Sequence, residues 1–244
     1  DGANDAPAIR LADVGLALGT RATTAARDAA DVVILDDRVE TIVDAIAEGR
    51  TMWASVRDAV AVLVGGNLGE IAFTLGGSVL AGAPPLNARQ LLLVNLLTDI
   101  APAMAIAVRP PADRTVESLL REGPDRSLGE ALNRAIAVRA LSTGAGAGGA
   151  WAVARVTGTP ARASTVALVA LVGAQLGQTL TTGGRSPAVV AAGLGSAVVL
   201  AGIVQTPGVS QLFGCTPLGP VGWATGLAAA GLATAGSVVL PRYL

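Results

Sequence analysis

AVAVLVGGNLGEIAFTLGGSVLAGAPPLNA, residues 59–88, decides the reading of this chain. Between Asp58 and Arg89 it carries a single charge, Glu70, and it ends in the turn Gly82-Ala83-Pro84-Pro85. The next run, from Arg89 to Arg109, again carries one charge, Asp99. A membrane-spanning helix needs roughly 17–25 mostly apolar residues. Each run is therefore long enough to span a bilayer, and each holds one carboxylate near its middle. The short turn between them makes the two helices antiparallel neighbours.

Working outward, no charge lies between Arg139 and Arg155, between Arg162 and Arg185, or from Ser186 to Pro241. The last stretch is broken by Thr206-Pro207-Gly208 and by Thr216-Pro217-Leu218-Gly219-Pro220. This pattern predicts six membrane helices, near 58–82, 89–108, 134–154, 164–183, 187–205 and 221–240. Charge divides the same way. Residues 1–130 hold all 18 acids and 11 of the 17 arginines, a net of −7, while residues 131–244 hold no acid and six arginines. A soluble head over 1–50 followed by a membrane domain over 51–244 has this form. The connection at 109–134 carries Arg109, Arg114, Arg121, Arg126 and Arg134, which favours the cytoplasmic side. With an even number of spans, both termini are expected there too.

Composition narrows the classes further. Only 14% of the 244 residues are charged and 52% are apolar, against about 25% charged in a soluble domain. Histidine and lysine are absent, and Cys215 is the single cysteine, which excludes a disulfide framework and a cysteine–histidine zinc site. A net charge of −1 argues against a nucleic-acid partner.

The head reads helix–strand–helix–strand–helix. Pro7 to Ala12 suits a short helix, Val14 to Leu18 a buried strand, and Thr23 to Ala30 a second helix. Val32 to Leu35 suits a second strand, closed by Asp36-Asp37, before Val39, Ile42, Val43 and Ile46 take up helical spacing. This is one end of an α/β domain with a parallel sheet. Some fifty residues cannot enclose such a core alone, so its remainder is expected upstream of Asp1. The edge motif Asp1-Gly2-Ala3-Asn4-Asp5-Ala6-Pro7-Ala8 places two acids and an amide before a helix. It reads equally as a Mg²⁺- and phosphate-facing turn or as an Asx-rich helix cap.

Glu70 and Asp99 carry most of the functional information. A charge at the centre of a membrane helix costs about 2.5–3.5 kcal/mol on insertion scales and defaults to a functional role. Glu70 lies about 18 Å and Asp99 about 15 Å from the same membrane edge at a rise of about 1.5 Å per residue. The two carboxylates are thus expected to meet near mid-membrane. Asn67 shares a helix face with Glu70, and Asn95 and Thr98 share one with Asp99. Pro102 cannot donate to the carbonyl of Thr98, which becomes one more oxygen. Such oxygens suit a hard cation. The competing reading is a polar cluster that only ties helices together.

Both motifs resemble those of the P-type ATPases, ion pumps that run through an aspartyl phosphate. Asp1 to Ala8 is similar to their hinge motif T-G-D-G-x-N-D-x-P-A-L from its third residue onward, and the likeness continues through Ala12 to Gly19, Ala29 to Asp37, Thr41-Ile42-Val43 and Glu48-Gly49-Arg50. Ala22 and Thr24 stand where the family usually has a glycine and an acid. Asn67-Leu68-Gly69-Glu70 and Gln90 to Asp99, followed by Pro102-Ala103 and Arg109-Pro110-Pro111, resemble the fifth and sixth membrane helices of calcium-pump-like members. The resemblance implies a HAD-like phosphorylation domain ending near residue 50. There Asp1 would be the Mg²⁺ carboxylate, with Asn4 and Asp5 ordering the phosphate site. It implies a transported cation bound by Asn67, Glu70, Asn95, Thr98 and Asp99. Gln175 stands near the glutamate that calcium pumps carry in their eighth helix. ATP would be bound by parts not present in these residues, since the D-K-T-G-T site, the nucleotide domain, the T-G-E-S loop and four further membrane helices are missing. The expected setting is the plasma membrane, with the lipid bilayer and the rest of the same pump as partners. A passive channel or carrier, or a membrane scaffold, is the alternative reading, and it has no need of the head motif.

Other features have plainer readings. Gly144, Gly146, Gly148 and Gly149 sit inside an apolar span and suit close helix packing, not a nucleotide loop. Gln175, Gln178, Thr179 and Thr182 form a stripe that serves either helix contact or an ion path. Trp53, Trp151 and Trp223 lie near span ends, as interface anchors do. Arg57 and Asp58 read as a solvated collar.

Overall fold

The computed structural model describes residues 2–19, 21–36, 38–109, 129–184 and 186–242. Asp1, Asp37 and the loop arginines Arg114, Arg121 and Arg126 lie outside the described residues, so the expectations placed on them are not addressed by it. The chain divides into two compact units, one ending at Thr51 and one beginning at Met52.

The first unit follows the expected order. A 3₁₀ turn at Ala3–Asp5 leads into α1 (Ala6–Leu11), which has Pro7 in its first turn, where a missing N–H costs nothing. Strands β1 (Leu16–Leu18) and β2 (Val32–Ile34) pair in parallel, with Leu16 opposite Val32 and Leu18 opposite Ile34. Parallel strands need a crossover, and α2 (Thr24–Ala29) supplies it, capped where Thr23 accepts from the Ala26 N–H at 3.4 Å. Ala17, Ala22 and Ala26 form the small core, with Ile9 and Ala30 against it. Asp31 ties the strand entry, accepting the Gly15 N–H at 2.8 Å.

The long helix α3 (Val39–Ala81) begins in the first unit and supplies the first span of the second. The helix that leaves the head and the first span are one helix, since no proline interrupts residues 47–58 and Gly49 alone is too weak a breaker. Beyond the positive-φ turn at Gly82 come α4 (Ala88–Asn95), a π-helical turn at Leu96–Ile100 and α5 (Ala101–Ala107). The expected helix over 89–108 is thus present, with one widened turn just before Pro102. The bundle is completed by α6 (Glu130–Thr157), α7 (Pro160–Gly183), α8 (Pro187–Gln205), the short α9 (Val209–Leu212) and α10 (Pro220–Val239).

Among the described residues, five helical stretches are long and apolar enough to cross a membrane: Glu40–Ala81, Ala88–Ala107, Pro160–Gly183, Pro187–Gln205 and Pro220–Val239. The chain is a mainly helical, multi-pass membrane protein. The sixth expected span, 134–154, lies in α6. That helix is long enough at 28 residues but too rich in glycine, alanine and hydroxyl side chains to match the others in apolarity. It packs against both α7 and α10.

The most enclosed helix is α7, and α6, α8 and α10 all pack on it. Small residues set these approaches, because helices surrounded by lipid associate through close contact. A Cβ at Gly177 would fall 2.2 Å from Thr234 Oγ1, and one at Gly146 would fall 2.8 Å from Ala233 Cβ. Gly144 sits against the Gly69 carbonyl, whereas Gly149 faces open space. The packing reading of the glycine run therefore holds at Gly144 and Gly146. Gly177→Val should force α7 from α10 at a cost of about 1–3 kcal/mol. The check is the thermal unfolding midpoint of the detergent-solubilised protein, which is expected to drop; an unchanged midpoint would contradict so close a contact.

Trp151 departs from the interface-anchor expectation. It is buried, meets Phe73 edge-to-face with centroids 6.4 Å apart, and carries Arg155 over its ring at 4.9 Å. Trp53 is 43% exposed, and Trp223 packs partly buried on the core.

Candidate cation site in the membrane helices

Two helices build the site. On α3, Asn67 and Glu70 are one turn apart and share a face. On the α4–α5 segment, Thr98 and Asp99 fall within the π-helical turn. Such single wide turns are frequent at functional sites. Asn67 Nδ2 donates to Asp99 Oδ2 at 3.3 Å, joining the helices. Thr98 Oγ1 donates toward the Val94 carbonyl at 2.9 Å and lies 3.0 Å from Asp99 Oδ1. Glu70 is 8% exposed and lies within electrostatic reach of Asp99.

The donor set is incomplete. Glu70 Oε2 and Asn67 Oδ1 are buried with no hydrogen-bond partner among the described residues. An unsatisfied buried carboxylate oxygen is costly. Two such oxygens beside a second carboxylate form a cluster with no positive charge paired to it among the described residues. The fifth expected ligand, Asn95, is exposed and is not drawn into the cluster. The wide turn that follows it rotates Asn95 relative to Asp99, which regular helical spacing could not reveal.

Gln175 is 3% exposed on α7 and donates to the Gly66 carbonyl at 3.3 Å, one residue from Asn67. It borders the cluster by bridging backbones. Within the same stripe, Gln178 reaches across to Thr143 Oγ1 on α6 at 2.9 Å, whereas Thr179 and Thr182 donate to carbonyls of their own helix, those of Gln175 and Gln178. The Gln175 and Gln178 bonds favour helix contact over an ion-path lining at those two positions.

Nearer the ends of these helices lies a polar knot that the sequence reading missed. Asp58 does not form a solvated collar; its side chain is 22% exposed and ion-paired with Arg109, itself 13% exposed. Arg109 also donates to the Thr182 carbonyl, and Arg139 Nη2 donates to Thr182 Oγ1 at 2.6 Å. Two guanidinium groups thus meet the C-terminal end of α7, where carbonyls lack intrahelical partners. The signal was present in sequence as charges flanking apolar runs, but their pairing across 51 residues was not.

In the first unit, Asp5 Oδ2 accepts the Gly2 N–H at 2.9 Å, which holds the exposed Asp5 carboxyl below the usual carboxylate range. That bond closes the turn at the start of the motif. Asn4 is exposed beside it.

An oxygen-lined acidic pair thus lies inside a helical membrane bundle, on a helix that begins in an α/β unit. Residues 83–239 match the family described as cation transporting ATPase, C-terminus. The chain is 52% identical over its whole length to the probable cation-transporting ATPase I of Mycobacterium leprae, of which it covers 16%. It is 41% identical across 48% of its length to the P-type sodium-transporting ATPase4 of Plasmodium falciparum, covering 9% of that protein. It is 38% identical, again across 48%, to the plasma membrane-type calcium-transporting ATPase 10 of Arabidopsis thaliana, covering 11%. The chain belongs to the P-type cation-transporting ATPases and matches their C-terminal part. It spans about one sixth of the length of its mycobacterial relatives.

Proposed function

We propose that the chain is the C-terminal part of an ATP-driven pump that moves a hard metal cation, calcium-like in its ligand preference, across the plasma membrane. The observation that carries this is the pair of unpartnered buried oxygens, Glu70 Oε2 and Asn67 Oδ1, beside Asp99. Carboxylate and amide oxygens match the chemistry of hard cations. Glu70, Asp99 and Asn67 hold the ion, Thr98 fixes the Asp99 carboxylate, and Gln175 braces the helix beside it. Asn95 joins as a ligand on rotation of the widened turn.

The head over residues 1–50 then acts as the end of a HAD-like phosphorylation domain and residues 51–244 as six crossings, with both termini cytoplasmic. Asn4 and Asp5 order the phosphate site, a role suited to the Gly2–Asp5 turn, and Asp1 holds Mg²⁺. When bound, Mg²⁺ neutralises charge on the transferred phosphoryl group. ATP binds to upstream parts of the same polypeptide. Because α3 is continuous from Val39 to Ala81, it supplies one element whose arrangement both sites can bias. A passive channel or scaffold would leave the head motif without a role.

The full-length protein tests this. ATP hydrolysis should be stimulated by at least one of calcium, manganese or sodium, and Glu70→Gln should remove that stimulation. Stimulation by every cation surviving the change would remove Glu70 from the transport path.

A further inference from the structure

A threonine in an apolar helix ordinarily gives its hydroxyl to the carbonyl four residues back. In this bundle Thr98, Thr179, Thr182 and Thr234 do so, at 2.8–2.9 Å. Thr74 does not. Its Oγ1 is buried and has no hydrogen-bond partner among the described residues, although the carbonyl four residues back, that of Glu70, belongs to the same helix. Ser78, one turn further on, uses the Thr74 carbonyl and leaves the hydroxyl free.

The position of this spare hydroxyl gives it meaning. Asn67, Glu70 and Thr74 are spaced by three and four residues, so they line one face of α3. Each carries a buried oxygen without a partner. Thr74 lies about 6 Å beyond Glu70 along the helix axis, toward the Gly82–Pro85 turn. We infer that Thr74 Oγ1 is a further ligand on the cation path, receiving the ion one helical turn beyond Glu70. The inference rests on the pump reading above. A neutral hydroxyl oxygen suits the same hard cation as the carboxylates but holds it less firmly. An ion can therefore step from Glu70 toward the turn without being trapped.

The test uses the full-length pump and equilibrium binding of calcium, sodium and manganese, each tried alone. Thr74→Val keeps the side-chain shape and removes the oxygen, Thr74→Ala removes both, and Thr74→Ser restores the oxygen. The half-saturating concentration of the bound cation should rise about three- to tenfold in the valine and alanine variants. It should return to within about twofold of the wild type in the serine variant. Glu70→Gln should abolish binding. If Thr74→Val and Thr74→Ala both bind like the wild type while Glu70→Gln does not bind, Thr74 is not a ligand and the pump reading stands. If none of calcium, sodium and manganese, each tried alone, binds the wild type, or if Glu70→Gln binds normally, the cation-site reading fails and this inference fails with it.

Discussion

Asp99→Asn in the full-length protein should reduce cation-stimulated ATP hydrolysis about a hundredfold at cation levels that saturate the wild type. The argument is one of charge. Asp99 Oδ2 accepts the Asn67 amide N–H, and Thr98 Oγ1 is within hydrogen-bonding distance of Oδ1. An asparagine there can still accept from Asn67 and give its NH₂ to the Thr98 hydroxyl, which accepts as well as donates, so what it loses is the negative charge. The variant removes half the negative charge of the site and also loosens the bond that joins the two helices. Asn67→Ala removes only that bond and one neutral oxygen, so its effect should be the smaller. Comparable activity in Asp99→Asn and the wild type, measured as ATP hydrolysis against cation concentration, would refute the assignment.

Arg109→Gln should destabilise the bundle strongly, although the residue lies outside the cation site. Arg109 pairs with Asp58 and donates to the Thr182 carbonyl, so it joins α3, the end of α5 and α7. Removing one partner of a buried pair costs about 3–5 kcal/mol. With 13% and 22% of the two side chains still exposed, screening reduces the expected cost to about 1–3 kcal/mol. Lysine should not restore it, since a single ammonium lacks the fork that reaches two acceptors at once. The check is a double-mutant cycle on thermal unfolding with Asp58→Asn. The paired variant should lose less than the sum of the two single changes, and strict additivity would show that the pair is not coupled.

Much of this architecture is legible in the sequence because charge is so sparse. In the last two spans, apolar runs bounded by proline fixed helix ends to within a residue, as at Pro187–Gln205 and Pro220–Val239. The parallel β1–β2 pair followed from two apolar runs separated by an alanine-rich helix. The acidic pair was legible because a carboxylate in an apolar run is rare. What stayed hidden depends on contacts distant in sequence or on a change of helical pitch. Nothing local to Leu96–Ile100 announces a π-helical turn, so the exposure of Asn95 could not be foreseen. The burial of Trp151 depends on Phe73, and that of Asp58 on Arg109. The apolarity of α6 was overestimated because absence of charge was taken as its measure, and its glycine and hydroxyl residues are not strongly apolar.

Cys215 is 2% exposed, and the Gln90 amide reaches its sulfur at 3.5 Å. Burial pushes its thiol pKa up, so little reactive thiolate is available. The described region therefore supplies a chemically quiet background for site-directed labelling. Single cysteines introduced at Ala83, in the turn after α3, or at Gly49 in the opposite part of that helix would be the sites open to water-borne maleimides. Adding reagent to one side of sealed vesicles at a time would then report which compartment each site faces.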